Sequence, residues 1–177
     1  MEREIELKIL NLDLKELENK LIKLGAQYLG EEHQENIRIN STGHKIYKKV
    51  GYLRIRVSQK DGKKINYLTF KENLSDINVR DNIEHTITFD DVEELKNIFK
   101  LLGYDKFYYG KKYRRKYKYK DFKIDLDTWD KETYPYPYAE IEGPSEKEIY
   151  EFADLLNIPN EDISTLSIAE LIKNLKK

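Results

Sequence analysis

Residues 2–9 read EREIELKI. On an extended chain Glu2, Glu4, Glu6 and Lys8 share one face, and Ile5, Leu7 and Ile9 share the other. A period of two marks a β-strand with one apolar face. The same division recurs along the chain. Arg54 and Arg56 oppose Leu53, Ile55 and Val57, and Tyr67, Thr69 and Lys71 oppose Leu68 and Phe70. Arg80, Glu84 and Thr86 oppose Ile83, Ile87 and Phe89. In KKYRRKYKY, residues 111–119, Lys112, Arg114, Lys116 and Lys118 oppose Tyr113, Tyr117 and Tyr119. Asp125 and Asp127 oppose Phe122, Ile124 and Leu126, and Glu140 and Glu142 oppose Ala139 and Ile141. Strands are therefore expected near 2–9, 28–40, 50–59, 64–72, 80–89, 106–119, 121–129 and 137–142.

Helical periodicity interrupts these strands. Leu14, Leu17, Leu21 and Leu24 form one stripe from Asp13 to Leu24, with Asp13 placed to cap the start and Gly25 the end. Val92, Leu95, Phe99 and Leu102 form a second stripe from Asp91, stopped at Gly103. A third helix begins at Ser145, where Ser145 and Glu148 make a capping-box pattern, and runs to Leu156 before Pro159. A tail helix is expected over Ser167 to Leu175. A shift of 78 residues lays Leu14, Leu17, Leu21, Leu24 and Gly25 on Val92, Leu95, Phe99, Leu102 and Gly103, and Glu6 on Glu84. Each half then reads strand, helix, strand, strand, strand. Two such halves in one domain over residues 1–177, with helices over 145–177, supply the eight antiparallel strands that a closed barrel needs.

The charged faces have two possible destinations. An antiparallel sheet commonly wets one face, which would leave these residues in solvent. Two features favour the inward reading. The signs are sorted strand by strand, whereas exposed strands usually mix them. The apolar faces also have claimants outside, in three amphipathic helices that each need a sheet to cover. With helices outside, the fold is an α+β eight-stranded antiparallel β-barrel whose lumen is lined with charge. In such a tunnel arginine and lysine would hold phosphate oxygens, and carboxylates would hold Mg²⁺ or Mn²⁺.

Composition excludes several alternatives. The chain has 177 residues, with 32 basic and 33 acidic residues and a net charge of -1. That balance argues against a broadly cationic nucleic-acid binder. No cysteine is present, which removes disulfides, thiolate metal sites and cysteine nucleophiles. Three scattered histidines do not make a zinc site. MEREIELKIL is no signal peptide, and no apolar run approaches the roughly 20 residues of a membrane span. A cytoplasmic protein is expected. The basic, tyrosine-rich tract at 111–120 resembles a single-strand nucleic-acid groove, but neighbouring Asp125, Asp127, Glu140 and Glu142 would repel a phosphate backbone.

Glu4-Ile5-Glu6-Leu7-Lys8 resembles the E-x-E-x-K signature of the CYTH superfamily, the triphosphate tunnel metalloenzymes. Further motifs follow in the family's order: L-R-I-R at 53–56, L-T-F-K at 68–71, Arg80 with Glu84, K-x-R at 112–114, L-D at 126–127 and E-I-E at 140–142. LDTW followed by AEIEG and a capped helix looks most like the class IV cyclase-like bacterial branch. The resemblance implies an eight-stranded tunnel with external helices. It implies metal ligation by Glu4, Glu6, Asp127, Glu140 and Glu142, supported by Glu84 and Asp125. It implies triphosphate binding by Lys8, Arg54, Arg56, Lys71, Arg80, Lys112 and Arg114, with Lys8 and Glu6 acting in the chemistry.

The chain departs from the family pattern in its longer DKETYPYPY segment and in Gln34-Glu35-Asn36, where many cyclase-like members carry Q-x-D. Tyr134, Tyr136 and Tyr138 could stack on a base or pack at the surface, Trp129 is read as a packing residue, and His85 as a packed or partly exposed one. The expected activity is metal-dependent hydrolysis of inorganic triphosphate, thiamine triphosphate or ATP. The alternatives are a class IV adenylyl cyclase making cyclic AMP and pyrophosphate, and a non-catalytic polyphosphate or nucleotide binder. The expected partner is a triphosphate-containing small molecule, with no nucleic acid and no membrane, and the expected state is monomer or homodimer.

Overall fold

The computed structural model describes residues 1–47 and 49–175. The last two residues of the expected C-terminal segment lie outside the described residues. Among the described residues there are nine strands: β1 (Glu2–Ile9), β2 (Gln27–Asn40), β3 (Gly51–Lys60), β4 (Lys63–Ser75), β5 (Arg80–Phe89), β6 (Lys106–Tyr119), β7 (Phe122–Trp129), β8 (Tyr138–Glu142) and β9 (Ile163–Ser164). The helices are α1 (Leu14–Lys23), α2 (Val92–Leu101), α3 (Glu146–Leu155) and α4 (Ile168–Leu175).

The sheet runs β5-β4-β3-β2-β6-β7-β8-β1-β9, and β5 also pairs with β1. That last pairing closes eight antiparallel strands into a barrel. The ninth strand lies outside the ring, taking the edge of β1 beyond the end of β5 and pairing Lys8 with Ser164. The strand order is unchanged when each strand of the first half is exchanged with its counterpart four places on. β1 pairs β5 and β2 pairs β6, so corresponding strands of the two halves join directly.

Each helix starts where the side chains predict. Asp13 Oδ1 accepts hydrogen bonds from the amides of Lys15 and Glu16, Asp91 from that of Glu94, and Ser145 Oγ from that of Glu148. Gly25 and Gly103 stand one residue past their helix caps at φ of 82° and 87°, a left-handed turn that only glycine adopts without strain.

The hydrophobic core lies between the barrel wall and the helices, not inside the barrel. Leu17 and Leu21 of α1 and Ile149, Phe152 and Leu156 of α3 and its cap pack on Leu7, Ile9, Tyr117, Ile124, Leu126 and Ile141. Val92, Leu95 and Phe99 of α2 pack on Ile37, Ile39, Ile55 and Val57 across the molecule. The apolar strand faces therefore look outward, and the charged faces have only the lumen.

Strand ends move by up to three residues from the sequence expectation. β4 extends to Ser75 because β5 continues to pair with it through a bulge between Asn73 and Ser75. β9 is unforeseen, since two residues are too few to display a period. Among the described residues, no helix is long and apolar enough to cross a membrane.

Candidate active site

The alternation of β1 aims Glu4, Glu6 and Lys8 into a cavity of about 800 Å³. Register then brings charges face to face, most of opposite sign and some alike. Glu6 lies across from Arg80 on β5 and from Glu142 on β8, and Lys8 lies across from Glu140. Lys71 faces both Tyr52 and Glu84, Arg114 faces Asp127, and Asp125 faces Glu140.

Two ionic clusters result. In the first, Lys71 Nζ bonds Glu4 and lies 3.3 Å from Glu6 Oε1 and 3.5 Å from Glu84 Oε1. Arg80 Nη1 donates to the same Glu6 oxygen at 2.9 Å. In the second, Arg114 grips both oxygens of Asp127 at 2.6 Å, reaches Glu140 Oε2 at 2.6 Å and bonds Asp125. Lys112 Nζ donates to Asp127 Oδ2 at 2.8 Å. At the edge, Lys123 holds Glu2 and Glu142, each at 2.9 Å.

Protonation follows from these contacts. Burial alone would raise Glu6, but Lys71, Lys8 and Arg80 bring it down to about 2. Burial raises Glu4, aided by the charges of Glu6 and Glu84, and raises Asp125, aided by Asp127 and Glu140. Burial likewise raises Glu142, aided by Glu2 and Glu6. Burial lowers Arg56 to about 10, with Arg54 and Arg114 adding repulsion.

Several donors in the tunnel wall have no partner. Arg54 Nε, Arg56 Nε and Asn82 Nδ2 are buried without a hydrogen bond. Lys8 Nζ touches Glu140 Oε1 at 2.9 Å, but the alignment is too poor for a hydrogen bond. Unused cationic donors around a cavity form a receptor for an anion.

Burial lowers the Lys112 ammonium to about 8, with the charge of Arg114 adding to the effect. Its positive charge is present below that pH and lost above it. Binding of an anion beside Lys112 is therefore expected to weaken as pH rises through about 8. Lys112→Arg should remove that inflection, because arginine stays charged across the range; calorimetric titrations from neutral to alkaline pH measure both.

The residues also suit a hard divalent cation. Their donors are carboxylate oxygens, and burial, which raises Glu4, Asp125 and Glu142, makes their charge costly in a way that a bound cation would offset. Among the described residues, no three histidine or acidic side chains form a ready cage. Ion-paired lysines and arginines hold the acids apart. That spacing suits an ion held by one or two carboxylates with phosphate oxygens and water.

Of the residues singled out in the sequence, Glu4, Glu6, Lys8, Arg54, Arg56, Lys71, Arg80, Glu84, Lys112, Arg114, Asp125, Glu140 and Glu142 border the cavity. Asp127 does not: it is fully buried beneath Arg114 and Lys112. The structure adds Asn36, Arg38, Tyr52, Asn82, Trp129 and Tyr138 to the lining. Asn36 and Arg38 were legible in the alternation of NIRIN, residues 36–40. The Gln34 amide bonds Glu32 and is itself 3.5 Å from Asn36, while Ser58 Oγ donates to Glu32 at 2.7 Å. Gln34 and Asn36 are thus part of an inner polar ladder on β2, while Glu35 faces outward. Tyr134 and Tyr138 are buried and Tyr136 is exposed, while His85 lies outside beside Glu72 at 3.3 Å.

Comparison with known proteins follows the same line. The PH1012 protein of Pyrococcus horikoshii OT3 superposes with a TM-score of 0.80 at 26% identity, covering 95% of this chain and 98% of that one. A candidate adenylate cyclase from Vibrio parahaemolyticus has a TM-score of 0.79 at 16% identity, covering 96% and 97%. A candidate adenylyl cyclase from Hippeastrum, found to have a dominant triphosphatase activity, has a TM-score of 0.62 at 15% identity, covering 94% and 91%. Among curated proteins no relative matches. The CYTH domain pattern matches residues 2–165, nearly the whole chain, and this protein therefore belongs to the CYTH family.

Proposed function

We propose that this chain is a divalent-metal-dependent enzyme that hydrolyses a triphosphate held in the tunnel. One observation carries the reading. Arg54, Arg56 and Lys8, each with a donor that makes no hydrogen bond, line the same cavity as Glu4, Glu6, Glu140 and Glu142. Cations for phosphate and carboxylates for metal thus share one enclosed space. The fold's relatives include candidate adenylate cyclases and a protein with dominant triphosphatase activity, so triphosphate chemistry suits this architecture.

Arg54 and Arg56 would grip the phosphate chain through the free guanidinium donors. Lys71, Arg80 and Arg114 already carry carboxylates, and would contact phosphate through remaining donors while holding Glu4, Glu6, Asp125 and Glu140 in place. Lys8, free of an aligned hydrogen bond, would orient a water or a phosphate oxygen. Bound Mg²⁺ or Mn²⁺, held by one or two of Glu4, Glu6, Glu140 and Glu142, would supply Lewis acidity to the phosphate oxygens. Phosphoryl transfer develops charge on those oxygens, and donors positioned in advance stabilise it without reorganising.

The test is a panel of ATP, thiamine triphosphate and inorganic triphosphate with Mg²⁺, with Mn²⁺ and with chelator. Orthophosphate release that stops with chelator and returns on adding metal is expected. Cyclic AMP with pyrophosphate would replace hydrolysis by cyclisation. Tight binding without any product would make the protein a carrier.

A further inference from the structure

Two arginines stand directly across from each other in the tunnel wall formed by β2 and β3. Register pairs Arg38 with Arg54, and both border the cavity. Like charges directly opposite on one sheet face repel. Acids do little to relieve this pair. The other cross-strand neighbour of Arg38 is Tyr108 on β6, and among the described residues Arg38 makes no ion pair. Arg54 Nη2 stands 3.7 Å from Glu84 Oε1, beyond hydrogen-bond reach, and Arg54 Nε is buried without a hydrogen bond.

The group that accommodates them is Tyr52, two places before Arg54 on β3 and also at the cavity wall. The Arg38 guanidinium lies over its ring at 5.4 Å from the centroid, and that of Arg54 at 5.8 Å. An aromatic face attracts a guanidinium, most strongly where water is excluded. The ring thus offsets the repulsion between the two cations without occupying their N–H donors. A carboxylate here would take those donors up, as Asp127 does with Arg114. The surroundings remain cationic. Burial would raise the Tyr52 hydroxyl, but Arg54, Lys71 and Arg80 bring it below its ordinary value. Two guanidinium forks with open donors, side by side at a cavity wall, suit a phosphate group with several oxygens to offer.

We propose that Arg38 is a further phosphate ligand of this tunnel, and that Tyr52 is the positioning residue that presents Arg38 and Arg54 together to one phosphate group. The inference rests on the triphosphate reading above. Arg38 and Tyr52 both lie outside the family motifs found in the sequence, so the signature does not account for the pair.

The test is calorimetric titration of the full chain with inorganic triphosphate at fixed Mg²⁺ and ionic strength. Arg38→Gln is expected to weaken binding by about 10- to 100-fold, the size of lost hydrogen bonds between charged groups. Its unfolding midpoint should stay level, since no acid is left unpaired. Tyr52→Leu removes the ring and is expected to weaken binding by about 10-fold, whereas Tyr52→Phe keeps the ring and retains the affinity. Because Tyr52 acts through the arginines, Tyr52→Leu should cost less in the Arg38→Gln chain than in the unaltered one. A merely structural tyrosine would cost the same in both. Should Tyr52→Leu fail to fold, Tyr52→Met takes its place. Unchanged affinity in Arg38→Gln, equal loss in Tyr52→Phe and Tyr52→Leu, or fully additive losses in the double variant overturns the proposal. Failure of the unaltered chain to bind inorganic triphosphate would overturn the triphosphate reading, and this inference with it.

Discussion

Replacing Arg56 by alanine is expected to lower turnover by about 10²- to 10³-fold with no loss of folding stability. Most buried cations in this tunnel hold an acid, and removing them would leave that acid unpaired. Arg56 makes no ion pair among the described residues, and its Nε is buried without a hydrogen bond. Burial and two neighbouring guanidiniums lower it to about 10, so the folded state tolerates its charge at a cost. Alanine removes that cost, and water can fill the space at the cavity wall. Activity should therefore fall while the unfolding midpoint stays level or rises. Paired kinetic and thermal-unfolding measurements decide the matter. Full activity in the variant would remove Arg56 from the phosphate site, and a sharp drop in stability would make it a structural residue.

Asp127→Ala is expected to have the largest effect on stability, about 3–5 kcal/mol. Asp127 is fully buried, takes two hydrogen bonds from Arg114 at 2.6 Å and one from Lys112 at 2.8 Å. Its loss strands two buried cations with fewer partners. Against a typical total of about 5–15 kcal/mol, that is a large fraction. The resemblance implies a metal ligand here, whereas the geometry makes Asp127 an anchor for the second cluster. Urea unfolding separates the two roles. A metal ligand would lose metal affinity with stability retained, whereas the anchor loses stability even without metal.

Much of the site was readable before the fold. The alternation in EREIELKI separates Glu4, Glu6 and Lys8 from Leu7 and Ile9, and those two sets end on opposite sides of the barrel wall. Arg80 opens its strand, where a slip of one residue would turn it outward, and it stands opposite Glu6. Tyr52 was harder to see. It precedes L-R-I-R at the start of its strand, and its ring matters because Arg38 and Arg54 lie over it at 5.4 and 5.8 Å. Trp129 and Tyr138 belong to segments that read equally well as packing, and one hydrogen bond across a loop joins them.

Local pattern determined which side chains share a face, because a strand's geometry alternates them whatever lies around it. It also determined where helices begin and end, since caps act within a few residues. Which face looked inward was decided by closure, through the pairing of β1 with β5 and the docking of α1, α2 and α3 on the outer wall. The partner of each charge was likewise decided by tertiary structure. Glu6 meets Arg80 across 74 positions of sequence, and only long-range register sets such a distance.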